Sequence, residues 1–250
     1  MSLLSNVDSA NVTVEEKDTL GGGMPDSGAY PGVIELAYLM ESAGGAVGLA
    51  LHFKADSGPS IRETVYITSG TAKGKKTYYE NRQGEQSPLP GFVIAEALAL
   101  MTTDTGILEA GANTEKKVVN LYNRELGRET PTEADALVGM MGKRVCLGVI
   151  KSTENKNVKN ESTGKYEPTA ETRDVLEIDK VFRDSDGATV SEVRAGAEAT
   201  FIAKWREKWE GKVRDKVKPV DNKARPAGAA RAGAAAGGGG TAPSLFGNKG

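Results

Sequence analysis

Apolar and polar residues alternate along five segments of the chain, as they do in β-strands that bury one face. In the second segment Val47, Leu49, Leu51 and Phe53 share one face, and small or polar residues lie between them. The Gly-Gly pair at 44–45 predicts a turn before this segment. The five predicted strands are residues 33–40, 47–53, 62–68, 144–150 and 175–182.

Two helices are predicted between the third and the fourth strand. Residues 92–101 are apolar and rich in alanine, and they follow two prolines. Thr130, Pro131 and Glu133 match a capping box, in which a threonine caps the first turn and a glutamate three residues later caps it in return. The second helix is therefore expected to start at Thr130 and to end near Gly142.

Residues 191–216 predict a C-terminal helix, in which charged residues alternate around two tryptophans. Trp205 and Trp209 are four residues apart and would share one helix face. Docking of this face against the sheet is the simpler interpretation, and a contact with a partner or a second protomer is the alternative.

The order of these elements predicts a mainly β protein with inserted helices. Five strands with helices between the third and the fourth favour an OB-fold-like five-stranded barrel, which we place at residues 31–190. A β-sandwich is the alternative fold. Residues 1–30 are polar and rich in glycine and predict a flexible N-terminal arm. Residues 217–250 predict a disordered, basic tail rich in Gly, Ala and Pro.

Charge is distributed unevenly along the chain. The net charge is −2, but residues 204–250 hold 11 Lys and Arg against 4 Asp and Glu, a net of +7, which leaves −9 on residues 1–203. A basic end on an acidic body suggests an anionic partner, or the acidic face of the protein itself. A tail that is simply solvated is equally compatible with these charges.

The scarcity of cysteine and histidine argues against most enzyme classes. Cys146 is the single cysteine and His52 the single histidine, which excludes a disulfide framework and disfavours Cys/His zinc sites and nucleophile–histidine catalysis. The turn at 184–187 lacks the later acidic ligands of a calcium loop. We therefore expect no enzyme activity, no metal and no cofactor.

No apolar segment is long enough to span a membrane, and no signal peptide is visible, so no membrane contact is expected.

The loop at 69–86 carries the most informative chemistry. Gly70 and Gly74 are separated by three residues, where a phosphate-binding P-loop needs four, so nucleotide hydrolysis is disfavoured. Lysines interleave with Tyr78 and Tyr79 instead. Cations neutralise phosphates and aromatic rings stack on bases, which together suit sequence-tolerant binding of single strands. An ordinary solvated loop is the alternative.

A second polar hairpin, at 151–171, repeats this composition of lysine and tyrosine. The two loops are expected to form the rims of one groove. The predicted nucleic-acid-binding residues are Lys54, Arg62, Tyr66, Lys73, Lys75, Lys76, Tyr78, Tyr79, Arg82, Lys143, Arg144, Lys156, Lys159, Lys165 and Tyr166.

Several segments together carry a resemblance to a known family. They are the strand at 34–38 with the turn and strand at 45–49, the helical insertion after Tyr79, the segment 137–145, and the polar hairpin that leads into 179–182. This layout resembles bacteriophage single-stranded DNA-binding proteins with an OB-fold, the T7-type helix-destabilising group. The resemblance covers roughly residues 30–183.

The resemblance implies non-catalytic, sequence-independent binding of single-stranded DNA in phage DNA replication or recombination, in the cytoplasm of an infected bacterium. Phage replication proteins and a second copy of the chain are the further partners it implies. Members of this family usually end in an acidic tail, whereas residues 231–250 are basic and rich in glycine and include Phe246 near the end. The alternative function is that of a viral structural or assembly protein that does not bind nucleic acid.

Overall fold

The computed structural model describes residues 23–123 and 126–220. The predicted arm therefore lies mostly outside the described residues, as does most of the predicted tail. The strands are β1 Gly28–Glu41, β2 Val47–Ala55, β3 Ser60–Tyr66, β4 Tyr78–Glu80, β5 Gln86–Pro88, β6 Glu115–Asn123, β7 Arg128–Ala136, β8 Arg144–Lys159, β9 Tyr166–Phe182 and β10 Val213–Asp215. The helices are α1 Pro90–Thr103, α2 Ile107–Ala112, α3 Val190–Ala195 and α4 Phe201–Trp209, and Thr71–Lys73 form a single 3₁₀ turn.

Five long strands form the central part of the main sheet, in the order β3-β2-β1-β8-β9. All neighbours in this order are antiparallel. The turn between β1 and β2 places Gly45 at a φ of 75°, where glycine is favoured because it has no Cβ. The mainly β fold and the positions of all five predicted strands are thus confirmed, although β8 and β9 each extend nine residues further into the polar hairpin than predicted.

Two additions extend this central sheet. The hairpin of β6 and β7 joins β1 through the pairs Tyr38–Ala136 and Leu39–Asp135. The short strand β10 pairs in parallel with β8, where Val213 lies opposite Lys151. The segment before β10 is held by Ser27, whose backbone carbonyl accepts a hydrogen bond from the amide of Gly211 at 2.8 Å.

The prediction of a barrel is wrong, because among the described residues the sheet is not closed. The two end strands, β3 and β9, approach each other without forming a ladder. A side chain bridges the gap instead: the Glu63 carboxylate accepts a hydrogen bond from the Ile178 amide at 2.5 Å. A carboxylate in this position takes the place of a backbone acceptor on β3.

The core lies between the curved sheet and α1. Phe53 and Ile34 from the sheet are fully buried, as are Leu98 and Ala99 from the helix. Gly91 allows the first turn of α1 to contact β3, since a Cβ at this position would lie 2.3 Å from the Tyr66 carbonyl oxygen. The helix predicted at 92–101 is confirmed as α1.

The helix predicted from the capping box at Thr130 is wrong. Residues 128–136 form β7, in which Ala134 and Ala136 are buried and pack on β1. Pro131 is tolerated because β1 pairs only with the last two residues of β7, so that the proline lies on a free edge. Partners on β6 and β1 determine this structure, and they lie outside the four residues that carry the capping signal.

The single helix predicted over 191–216 is also not present. The segment contains the end of α3, then α4 and β10. Gly196, at a φ of 59°, ends α3 in a left-handed conformation. A capping box does exist in the structure, but it lies at Thr189 and Glu192, at the start of α3.

Across residues 23–123 and 126–220, no helix has both the length and the apolar character that crossing a membrane requires.

Candidate nucleic-acid interface

The gap between β3 and β9 is an open groove of about 940 Å³. One wall is the edge of β3, and the opposite wall is residues 177–180 of β9. The loop after β3 and the first turn of α1 close one side. Arg214 in β10 and Lys216 just after β10 close the other. We call this the seam groove. Its side chains with chemical roles are Glu63, Tyr66, Lys73, Glu177, Asp179, Lys180, Arg214 and Lys216.

Tyr66 presents an aromatic surface at the mouth of the seam groove. It is the last residue of β3 and its side chain is 46% exposed, on the face that alternates with buried Val65. The close packing of Gly91 on the backbone of Tyr66 fixes the position of this strand end. An exposed ring at a fixed strand end can stack on an unpaired base.

A smaller recess of about 260 Å³ continues the groove beyond Lys73. Ser69, Lys73 and Leu89 line both spaces. The recess is formed by the small sheet of β4 and β5, which places Tyr78 and Tyr79 beside it. Five predicted residues therefore come together along one path. They are Tyr66, Lys73, Lys76, Tyr78 and Tyr79.

The acidic residues of the groove are compensated by cations of the C-terminal segment. The Lys216 ammonium lies 2.6 Å from one carboxylate oxygen of Glu177. Arg214 donates to Asp179 at 3.1 Å. These pairs leave Lys73 and Lys180 without an ion pair in the described part of the chain, so their charges are available to an anion.

Glu63 lies at the base of the seam groove. Burial raises the pKa of its carboxyl group to about 7, against the opposing effect of the hydrogen bond from the Ile178 amide. The neighbouring Glu177 raises this pKa further, and Lys216 lowers it. The groove therefore becomes more negative as the pH rises through neutrality.

Several other predicted cations are already paired with acidic side chains or backbone oxygens. The Arg144 guanidinium forms ion pairs with Asp56 at 2.6 Å and with Asp184 at 2.7 Å. The remaining contacts are Lys76 with Glu80 at 3.1 Å, Lys75 with Glu41, Lys156 with Glu171, Arg62 with Glu129 at 4.0 Å, and Lys54 with the carbonyl of Gly58. Lys143 immediately precedes β8, and Arg82 lies exposed in the turn between β4 and β5.

The predicted second rim does not line the groove. Lys159, Lys165 and Tyr166 lie at the tip of the β8–β9 hairpin, where Lys159 pairs with Tyr166. Eleven residues of strand separate Tyr166 from Glu177, roughly 36 Å at about 3.3 Å per residue. The two basic loops are thus not the two sides of one trough.

Cys146 and Trp205 both lie in a small apolar cluster on the outer side of β8. Burial raises the pKa of the Cys146 thiol to about 11, so the thiol is protonated near neutral pH. The expected docking of the tryptophans against the sheet is confirmed for Trp205, which is 3% exposed.

His52 is half-buried. Its pKa is lowered mainly by burial, and the positive charge of Arg62 lowers it further.

The sequence analysis missed the half of the groove that β9 and the C-terminal segment supply. Arg214 and Lys216 reach the groove because β10 pairs with β8, the neighbour of β9, whereas Lys180 lies on β9 itself. The excess of positive charge after residue 203 was the available signal, but it indicates a partner and not a location.

Comparison of the chain with models of known protein families gave no match, and comparison with curated protein sequences gave none.

Proposed function

We propose that this protein binds single-stranded DNA without sequence preference and without catalysis. The observation that carries the proposal is the seam groove, where exposed Tyr66 lies on one path with Tyr78, Tyr79 and Lys73, which has no ion pair among the described residues. A strand laid along this path finds cations for its phosphates and aromatic rings for its bases. These are the two contributions that sequence-tolerant binding needs.

The strand order supports the same proposal. The five long strands follow the path of a partly open barrel, and a helix is inserted after the third. We propose that the fold is an OB-like variant whose seam between β3 and β9 has been opened. Strand edges that remain unpaired then become walls of a binding groove.

The local charge of the seam groove also suits a polyanion better than the net charge of the chain does. Four cations line the seam groove, and two of its three acids are held by Arg214 and Lys216. The groove therefore has a charge balance of its own, although residues 1–203 together carry a net charge of −9. Phage DNA replication or recombination is the setting we propose for this activity.

Binding of a fluorescent oligothymidine is expected to weaken steeply with salt, because phosphate neutralisation releases counterions. Lys73→Ala should lower the slope of log K against log salt by about 0.7, the loss of one phosphate contact on a single strand. Fluorescence anisotropy at several salt concentrations measures both slopes. Salt-independent binding, or no binding by the full chain, would overturn the proposed function.

Tyr66→Ala is expected to weaken binding of the same oligonucleotide by roughly 5- to 150-fold, because a stacked base contributes about 1–3 kcal/mol. Tyr166→Ala is the matched control, since Tyr166 is also on a strand of the sheet and is 70% exposed, but lies at the distant hairpin tip. Equal losses in the two variants would contradict the position of the site.

One observation favours the alternative function in assembly. Val118 and Tyr122 are 71% and 66% exposed on β6, whose outer edge pairs with no strand among the described residues. Such an edge can pair with another protein. Light scattering distinguishes the two functions, because large assemblies that form without DNA support the alternative.

A further inference from the structure

A second cavity opens from the seam groove between α1, β9, α3 and α4. Its volume is about 410 Å³, within the range of roughly 300–1,000 Å³ that small-molecule pockets occupy. We call it the terminal pocket. Its apolar walls are Val93, Ile94, Ala97, Val181, Val190 and Phe201.

The terminal pocket and the seam groove are continuous. Val93, Ile94, Asp179 and Lys180 line both spaces. A chain that follows the groove past Tyr66 therefore reaches the opening of the pocket. The geometry therefore favours the ligand of the groove as the occupant of the terminal pocket.

The acidic groups at the pocket are already fully engaged. The Glu192 carboxylate accepts hydrogen bonds from the amides of Thr189, Thr200 and Phe201, each at 2.9 Å. These bonds hold the pKa of Glu192 at about 2. Asp179 accepts from both Trp205 and Arg214. The Arg214 guanidinium offsets the charge of Asp179, whereas Glu192 stays ionised among the backbone amides, and its bonds fix the loop that leads into α4.

Two lysines and an aromatic ring complete the pocket. Phe201 is 39% exposed, and the Lys180 ammonium lies 5.9 Å from the centre of its ring. Lys204 follows one turn later on α4 and also lines the pocket. In the described part of the chain, neither lysine has an acidic partner. Ser191 lines the same cavity, and its hydroxyl has no hydrogen-bond partner among the described residues.

We infer that the terminal pocket takes one unstacked nucleobase from an end of the bound single strand. The base inserts between the apolar walls and Phe201, and its flanking phosphates lie between Lys180 and Lys204. This inference rests on the proposed function. It gives the strand a defined end on the protein, where the groove alone would allow it to slide.

An abasic-site scan tests the pocket. The probe is the shortest oligothymidine that the full chain binds with full affinity, with one abasic nucleotide placed at each position in turn. We expect one position near an end to weaken wild-type binding by roughly tenfold, the loss of one stacked base. In Phe201→Ala the same abasic position should cause no further loss, because both changes remove one contact. Phe201→Tyr should restore it.

The controls separate the pocket from the groove. Tyr122→Ala removes an exposed aromatic ring elsewhere and should leave every position of the scan unchanged. Lys204→Ala, which lies in the pocket but not in the groove, should weaken binding of the intact oligonucleotide. Additive losses for Phe201→Ala and the abasic site overturn the pocket while Tyr66→Ala still supports the groove. Absence of oligothymidine binding by the wild-type protein overturns both.

Discussion

Replacing Trp205 by alanine is expected to lower the free energy of unfolding by about 3–5 kcal/mol, the range for removing a large aromatic side chain from a core. The indole ring of Trp205 packs edge-on against Phe182 with ring centres 5.9 Å apart. It also lies over Gly148, where a Cβ would come within 3.1 Å of the ring. Without the ring, a cavity opens on β8 and α4 loses its main anchor.

Urea unfolding followed by circular dichroism measures this loss. Tyr166→Ala is the control, because its ring is exposed and its removal leaves no cavity. A loss below 1 kcal/mol in Trp205→Ala would show that α4 is not anchored by this side chain. Trp205→Phe separates packing from hydrogen bonding, since it keeps a ring but removes the Nε1 donor to Asp179 at 2.8 Å.

Trp205 also connects the stability of α4 with the proposed site. Asp179 accepts from Trp205 through one carboxylate oxygen and from Arg214 through the other. The tryptophan thereby helps to hold the carboxylate that orients Arg214 at the groove. A single carboxylate thus links the apolar cluster beneath α4 to a cation of the seam groove.

The central strands were predictable from the sequence because each has a local signature. In β2, Leu49, Leu51 and Phe53 are all buried, and the alternation of their positions already indicates a strand with one buried face. Helix α1 was predictable for a similar reason, since its apolar run is too long for a turn and follows prolines that favour a helix start. These signals depend on neighbours within the same segment.

Barrel closure and the identity of β7 were not predictable in this way. The sequence between Thr130 and Glu133 satisfies a local capping rule, but the hairpin with β6 and the burial of Ala134 against β1 and β2 provide more contacts than one helix turn. Closure depends on whether β3 and β9 pair. The side chain of Glu63 bridges the two strands in place of a ladder, at a point that no local pattern identifies.

The candidate site was predictable in its residue types and only partly in its location. Lys73 and the tyrosines of β4 were identified because lysine and tyrosine interleave in the loop at 69–86, and Tyr66 lies on the predicted strand before it. The hairpin at 151–171 has a similar composition, yet its tip lies far along the strand from the groove. Composition indicates that a loop can bind an anion, whereas the tertiary fold decides which loops face each other.

Glu63→Gln is expected to stabilise the protein by about 3 kcal/mol at pH 8. The folded-state pKa of Glu63 is about 7, against about 4.5 for an unperturbed glutamate. Each unit of difference corresponds to about 1.4 kcal/mol. Because the folded-state pKa is raised, the contribution of Glu63 to stability is fully present below pH 4.5 and is lost as the pH rises through 7. The ionised carboxylate is then confined in the gap between β3 and β9, at a cost that glutamine does not have.

The glutamine can still accept the hydrogen bond from the Ile178 amide through its side-chain oxygen, so the bridge between the strands is kept. Urea unfolding at pH 5, 6, 7 and 8 should therefore show a wild-type curve that falls with pH and a Glu63→Gln curve that is flatter, with the two converging near pH 5. Glu161→Gln, in the exposed turn between β8 and β9, makes the same change of charge and should keep the wild-type slope. Parallel curves for wild type and Glu63→Gln would contradict this account, because the proton taken up on folding would then belong to another group.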